Sequence, residues 1–329
     1  MEAVTAFAPA TVSNVACGFD VLGFALHEPG DEVTAHWNDA GCVRIDAIAN
    51  DEGRLPRDAA KNTAGVAAIA LLRRLGERRG VTLSIRKGLP LSSGLGGSAA
   101  SAVAAVVAVD GLTRAGQSLD TLLACAFEGE RDGAGSAHAD NIAPSLYGGF
   151  VLVRRADPVD IVRLPVPASL TAVVVHPELE IETAKARALL GDTVALHDAI
   201  RQWANLGAFV DALHRGDLAL LSRSLEDRIA EPRRAALVPG FAAIKRAAAD
   251  AGALGASLSG SGPSMFALCD GDAAADRVAA AMTEAVRTHI GGIPQTYVSP
   301  IAQVGARVVV GGVGGVGGLK ASSGSTPHV

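Results

Sequence analysis

Only four cysteines occur in 329 residues, and Cys17, Cys42, Cys125 and Cys269 lie far apart with no Cys-x-x-Cys pair. That spacing supports neither a zinc site nor a disulfide framework, so the thiols are expected to stay reduced in a cytoplasm. Aromatic residues are scarce at 4%, and Lys+Arg (29) fall short of Asp+Glu (34), for a formal net charge of −5. A chain without a basic stripe and interleaved aromatics offers no nucleic-acid surface. Uninterrupted apolar runs fall well short of the ~20 residues of a membrane span. The opening MEAVTAFAPATVSN lacks the basic and apolar regions of a signal peptide. The expectation is an unprocessed cytoplasmic protein with neither nucleic-acid nor membrane partners.

What is present is aliphatic. Hydrophobic residues make up 49% of the chain and glycine contributes 38 residues, a composition that predicts an Ala/Val/Leu core and, by length, two lobes. VTAFAPA, DEVTAHW and CVRIDAI read as strands. After a cap at Asn62 or Thr63, Val66, Ile69, Leu72 and Leu75 recur at helical spacing and predict a helix packed on the sheet. VTLSIRKG, GGFVLVRR, TAVVVHP, MFALC, TYVSP and ARVVV read as further strands between helical runs. Strands and helices that do not strictly alternate predict an α+β fold. The proline-rich DPVDIVRLPVPASL marks a boundary, giving lobes at residues 1–160 and 168–310. Residues 311–329, rich in Gly and Ser, are expected to form a disordered tail.

The most informative stretch is PLSSGLGGSAAS, running from Pro90 to Ser101 between a strand and an Ala-rich helix. Glycines there serve a turn, or they let an anion approach the unpaired N–H groups of a helix start. Gly94-Leu95-Gly96-Gly97-Ser98-Ala99 formally matches a loose dinucleotide fingerprint, yet Asp120, at about the right distance for its acid, opens a helix. No lysine follows the last glycine, so a Walker A loop fails. Two more small-residue loops, in APATVSNVACGFDVLGFAL and SLSGSGPS, border apolar strands near either end of the chain.

Taken in order, SNVACGFDVLGFAL, PLSSGLGGSAAS, GSAHADNIAPSLYGGF, TAKARALL, IAEPRRAALVPGF and SLSGSGPSMFALC resemble the small-molecule kinases that include galactokinase, homoserine kinase, mevalonate kinase and phosphomevalonate kinase. Within that superfamily the set is similar to the homoserine kinases from about Ala8 to Val310. The resemblance implies two lobes: an N-terminal ribosomal-protein-S5-domain-2-like lobe and a C-terminal ferredoxin-like α/β lobe. It also implies transfer of the ATP γ-phosphoryl group to the side-chain hydroxyl of L-homoserine in threonine biosynthesis, with Mg2+ as cofactor and a homodimer as the assembly.

The same resemblance implies the site. ATP would contact Asn62, Lys87, Pro90, Leu91, Ser92, Ser93, Gly94, Leu95, Gly96, Gly97, Ser98, Ala99 and Ala100, with Asn62 and Lys87 along the adenine pocket. Mg2+ would sit on Ser98 and Glu130, Glu128 being a solvated acid. Homoserine is a zwitterion, so its pocket needs an anion for the ammonium and cationic forks for the carboxylate. Asp20 with Asn14 would take the first role, Arg187 and Arg234 the second; Gly260 would close over the site and Asn141 would sit at the hydroxyl. An amide takes no proton in this range, so transfer without a dedicated base is the expectation. Arg233 beside Arg234, and Ala16-Cys17 before GFD where the family carries Gly-Pro or Gly-Val, leave two details open. A sibling kinase for a carboxylate lacking an amine is disfavoured by Asp20, and a non-catalytic nucleotide binder by the presence of Ser98 and Glu130.

Overall fold

The computed structural model describes residues 2–134, 137–156 and 158–309; the expected tail lies outside them. The chain opens with β1 (Ala3–Ser13), β2 (Leu22–Asn38) and β3 (Val43–Ala49), then α1 (Thr63–Leu75), β4 (Gly80–Arg86), α2 (Gly97–Thr113), α3 (Leu119–Ala134), α4 (Ala139–Tyr147), β5 (Phe150–Ala156) and β6 (Val159–Leu164). It continues with β7 (Leu170–His176), α5 (Thr183–Ala188), α6 (Leu196–Arg215), α7 (Leu218–Ser224), α8 (Glu231–Arg234), a 3-10 turn (Ala235–Leu237), α9 (Phe241–Asp250), β8 (Gly255–Leu258), β9 (Met265–Asp270), α10 (Asp272–His289), β10 (Gln295–Pro300) and β11 (Arg307–Val309).

Two sheets organise these elements into an α+β, two-lobed fold. The larger runs β11-β1-β2-β4-β3, with β5 joined to β2 and β6 to β5; its β3–β4 pair is parallel and the others antiparallel. The smaller, β10-β7-β9-β8, is antiparallel throughout. Two details depart from the sequence reading. The proline-rich stretch is not only a connection, because β6 lies inside it, an edge strand bounded by Pro158 on one side and Pro165 on the other. Proline is tolerated at such strand ends, so composition alone mistook the ends of a strand for a linker. At the other terminus β11 returns to pair with β1, so the last strand belongs to the first sheet.

α2 is apolar on all sides and buried from Ala99 to Val109 with few interruptions, which its small residues permit by letting α1, α3, β1 and β2 approach closely. α1 starts at Asn62, whose Oδ1 accepts from the Ala64 N–H at 3.0 Å. It packs mainly on α2 and α3, not on the sheet as its spacing suggested: Ala64, Ala67, Ala68 and Leu71 are buried and Ile69 is exposed. The junction of the two sheets is where the scarce aromatics gather. Phe24 of β2 meets Phe150 of β5 at 5.0 Å and Phe266 of β9 at 6.0 Å, and Phe150 meets Phe209 of α6 at 5.6 Å. These tilted and edge-on contacts lie in a core that spans the junction, while a second core, with Val173, Ile244, Met265 and Met282, fills the space between the smaller sheet, α9 and α10.

Candidate active site

A cavity of about 430 Å³ opens where three loops meet: the β1–β2 loop, the segment before α2, and the β8–β9 loop. Hydrogen bonds tie the loops to one another. Ser259 Oγ donates to the Gly94 carbonyl at 2.7 Å, Ser264 N to the Ser93 carbonyl at 3.3 Å, Gly260 N to the Ser13 carbonyl at 3.2 Å, and Asn14 Nδ2 to the Gly260 carbonyl at 2.9 Å. Glycine is required at two of these junctions. Gly94 (φ +78°) lies so close to the third loop that a Cβ would fall 2.5 Å from the Ser259 carbonyl; at Gly96 (φ +68°) it would fall 2.1 Å from Thr11 Oγ1.

Gly96 caps α2 without a side-chain hydrogen bond, so the first-turn N–H groups of a buried helix face the cavity at the positive end of its dipole. Beside them Glu130 of α3 is buried and bonded to Ser98, while its Oε1 has no hydrogen-bond partner among the described residues. Burial pushes its carboxyl up to about 7, although the Ser98 bond and the Lys87 charge pull it down. Glu128 stands apart, paired with Arg73 at 2.6 Å on the surface. Lys87, expected along the adenine wall, has its ammonium committed beneath the loop. It pairs with the buried Asp31 and donates to the Gly97 carbonyl at 2.7 Å and to Ser101 Oγ at 2.9 Å. Asp31 in turn accepts from Ser101 Oγ at 2.7 Å and from Gly88 N at 3.0 Å, so this network braces the start of α2.

At the other end Asn141, in the first turn of α4, accepts from Thr11 Oγ1 at 2.8 Å through its Oδ1, leaving the amide N–H₂ for the cavity. The β1–β2 loop turns through three left-handed residues, Asn14 (φ 69°), Val15 (φ 44°) and Ala16 (φ 56°), and Cys17 is buried behind them. Burial pushes that thiol up to about 12, which makes it an inert packing group. Asn14 Oδ1 accepts from the Asp20 N–H at 2.9 Å. The Asp20 carboxylate is not free: it forms an ion pair with Arg187 of α5. Arg234 of α8 is buried, donates to the Gly260 carbonyl at 3.2 Å and shares the Phe19 ring with Arg187, their guanidinium carbons 5.3 and 5.2 Å from its centroid. Burial lowers its pKa. Arg233 points away, onto the Leu190 and Thr193 carbonyls.

Most residues named from the sequence thus line one cavity; Leu95 and Ala100 do not, because their side chains turn into the core behind it. His138 and Asp140, beside Asn141, line the cavity as well, and the sequence reading missed Thr11, Asp31 and Arg54. Burial lowers the His138 pKa and raises Asp140 to about 7, with the Asp20 charge adding to the rise. Arg54 lines the cavity and forms a fork with Glu180 at 2.6 and 2.9 Å. Thr11 and Asp31 lie inside strands, where only a buried polar residue in an apolar run could have signalled them.

Comparison with known proteins places the whole fold in one family. The model described as GHMP kinases N terminal domain matches residues 62–149, and that described as GHMP kinases C terminal matches residues 209–288. The homoserine kinase of Chloroherpeton thalassium is 46% identical over 319 residues, covering 94% of this chain and 100% of the relative. That of Xanthomonas campestris pv. campestris is 44% identical over 304 residues, covering 92% and 93%. Among solved structures, homoserine kinase from Cytophaga hutchinsonii superposes with a TM-score of 0.92 at 49% identity, covering 94% of this chain and 98% of that one. L. major mevalonate kinase in complex with R-mevalonate shares the fold, with a TM-score of 0.68 at 19% identity over 89% and 94% of the two chains.

Proposed function

Because the chain belongs to the homoserine kinase family of the GHMP kinases, we propose that its three-loop cavity is where ATP phosphorylates the side-chain hydroxyl of L-homoserine. The observation that carries the assignment of ends is the charge layout. An uncapped helix start and an unpaired buried carboxylate lie at one end, and two arginines with Asp20 at the other.

The first-turn N–H groups of α2 cradle the triphosphate of ATP, and Asn62 lies along the nucleotide pocket. Glu130 and Ser98 fit a magnesium ion: one carboxylate oxygen lacks a partner, and Mg2+ commonly takes one or two protein oxygens, the rest coming from water and phosphate. Bound there, Mg2+ neutralises charge on the phosphate oxygens. Homoserine lies with its carboxylate on Arg234 and Arg187 and its ammonium toward Asp20 and Asn14. The existing Asp20–Arg187 pair is thereby exchanged for two contacts with one zwitterion. Asn141, its carbonyl held by Thr11, donates to the hydroxyl and orients it. The hydroxyl oxygen forms a bond to the γ-phosphorus, the bond from that phosphorus to the β–γ bridging oxygen breaks, and ADP leaves. The hydroxyl proton passes late, to the transferred phosphoryl group or to water, so no dedicated base is needed. The reading includes a cytoplasmic homodimer.

ADP release with ATP and Mg2+, measured against homoserine, serine, threonine and mevalonate, with the product identified by 31P NMR, tests the assignment. Turnover dependent on homoserine that yields an O-phosphate ester supports it. Equal turnover with mevalonate refutes the zwitterion pocket.

A further inference from the structure

The first half of α6 reverses the usual polarity of a surface helix. Ahead of the buried Phe209, Ala212 and Leu213 it buries Gln202 and Asn205, fixed by hydrogen bonds: Gln202 Nε2 donates to the Cys17 carbonyl at 2.9 Å, its Oε1 accepts from Arg228 N at 2.7 Å, and Asn205 Nδ2 donates to the Glu226 carbonyl at 3.3 Å. The solvent side of that half carries Leu196 (69% exposed), Ile200 and Trp203 (57% exposed) at helical spacing. An exposed apolar row of this kind marks an interaction site. Gly207 lies on the same face, in the helix interior, where glycine costs about 1 kcal/mol relative to alanine. Among the described residues no heavy atom lies within 4 Å of where its Cβ would be, so none of them uses the space.

We infer that this face binds the same face of a second copy, with the two α6 helices antiparallel across a two-fold axis. Such an axis brings a patch onto itself, so the patch must contain both a projection and its socket. Trp203 and the open Gly207, one helical turn apart, are that pair. With the axis passing between them, each Trp203 ring lies on the partner's Gly207 and each Ile200 falls opposite the partner's Val210. The helix dipoles fit the same direction. α6 has Asp198 in its first turn, held by Arg228 at 3.4 Å, and His214 and Arg215 in its last, Arg215 being held by Asp211 at 3.3 Å, so the side-chain charges at both ends are already partnered and antiparallel packing gains chiefly by opposing the helix dipoles. Parallel packing would stack like ends. At 20 residues the helix offers a seam roughly 30 Å long. The inference gives a surface to the homodimer reading and rests on that reading, not on the substrate assignment. Through Gln202 the seam also reaches the carbonyls of Ala16 and Cys17, in the loop that carries Asn14 and Asp20.

The test is sedimentation of the full chain over a wide concentration range, for the wild type, Trp203→Glu and Gly207→Leu. Emission from a Trp37→Phe chain is followed alongside, because Trp203 is then its sole tryptophan. Expected are a wild-type dimer, a dissociation constant raised about 100-fold or more in both interface variants with unchanged circular dichroism, and Trp203 emission that moves to the red on dilution with the sedimentation midpoint. If Trp203→Glu fails to fold, Gly207→Leu and the emission titration still decide. Variants that remain dimeric, or Trp203 emission insensitive to dilution in a wild-type dimer, would place the interface elsewhere and overturn the inference. A wild-type chain that stays monomeric throughout overturns the homodimer reading together with it and leaves the kinase assignment untouched.

Discussion

The two ends of the cavity treat charge in opposite ways. At the α2 end Glu130 is buried with one oxygen unpaired, because the nearest cation, Lys87, is already engaged by Asp31 and Ser101. At the α5–α8 end each charged group already has a partner, with one positive charge in excess: Asp20 pairs with Arg187, and Arg234 rests on backbone carbonyls beside them. An unpaired buried carboxylate costs stability until a cation arrives, whereas an ion pair can be exchanged for a zwitterion at little net cost. One end is therefore built to demand a charge and the other to trade charges.

The sharpest way to break this contrast is at Glu130. Glu130→Gln is expected to lower kcat for ADP release about 10²–10³-fold, while raising the Tm of the ligand-free protein, because an uncompensated carboxylate has been removed. Loss of both activity and stability would show Glu130 to be a structural acid. At the other end Arg234→Ala is expected to reduce kcat/KM for homoserine about 100-fold, a loss of ~3 kcal/mol consistent with a buried charge-assisted contact. Arg187→Ala, half-exposed and sharing its charge with Asp20, should cost about tenfold. Asn141→Ala should lower kcat about tenfold at unchanged ATP affinity if orientation of the hydroxyl is its role. A faster Asn141→Asp enzyme with a new acidic limb in its pH–rate profile would show that a base is useful after all.

The smallest effect is on stability against pH. Glu130 and Asp140 sit at about 7 in the fold, above their ordinary 4.5 and 3.8. For an acid raised in this way the folded state holds its proton longer than the unfolded chain. Their contribution to stability is thus greatest below the ordinary carboxylate range and declines as pH rises to 7, then levels off. His138 and His176, whose pKa values burial lowers, contribute in the opposite direction, so the readout is the difference between two proteins. Calorimetry of the ligand-free proteins should show the Tm advantage of Glu130→Gln over the wild type growing by a few degrees from about pH 4 to about pH 7. A difference that does not change with pH would contradict the burial of this acid.

How much of this was legible beforehand differs between the ends as well. The α2 end is written locally in part: a strand, a glycine loop and an Ala-rich helix in one stretch raise an anion cradle beside a plain turn, and only the other two loops and the resemblance favoured the cradle. Glu130 followed from resemblance, and its unpaired oxygen is visible only once α3 is packed. That Lys87, which lines the cavity, also braces the start of α2 could not be read, since its partner Asp31 is 56 residues away on β2. At the α5–α8 end Asp20, Arg187 and Arg234 were each named through the resemblance, but the Asp20–Arg187 pair depends on α5 folding against the first loop. β6 was missed because prolines end a strand as readily as they mark a linker.

The most direct test of the contrast is steady-state ADP release at varied homoserine with saturating ATP, comparing the wild type, Glu130→Gln and Arg234→Ala. The account predicts that Glu130→Gln lowers kcat with homoserine KM nearly unchanged, and that Arg234→Ala acts chiefly by raising homoserine KM. Identical kinetic losses in the two variants, or a Glu130→Gln enzyme with wild-type kcat, would contradict the division of the cavity into a charge-demanding and a charge-trading end.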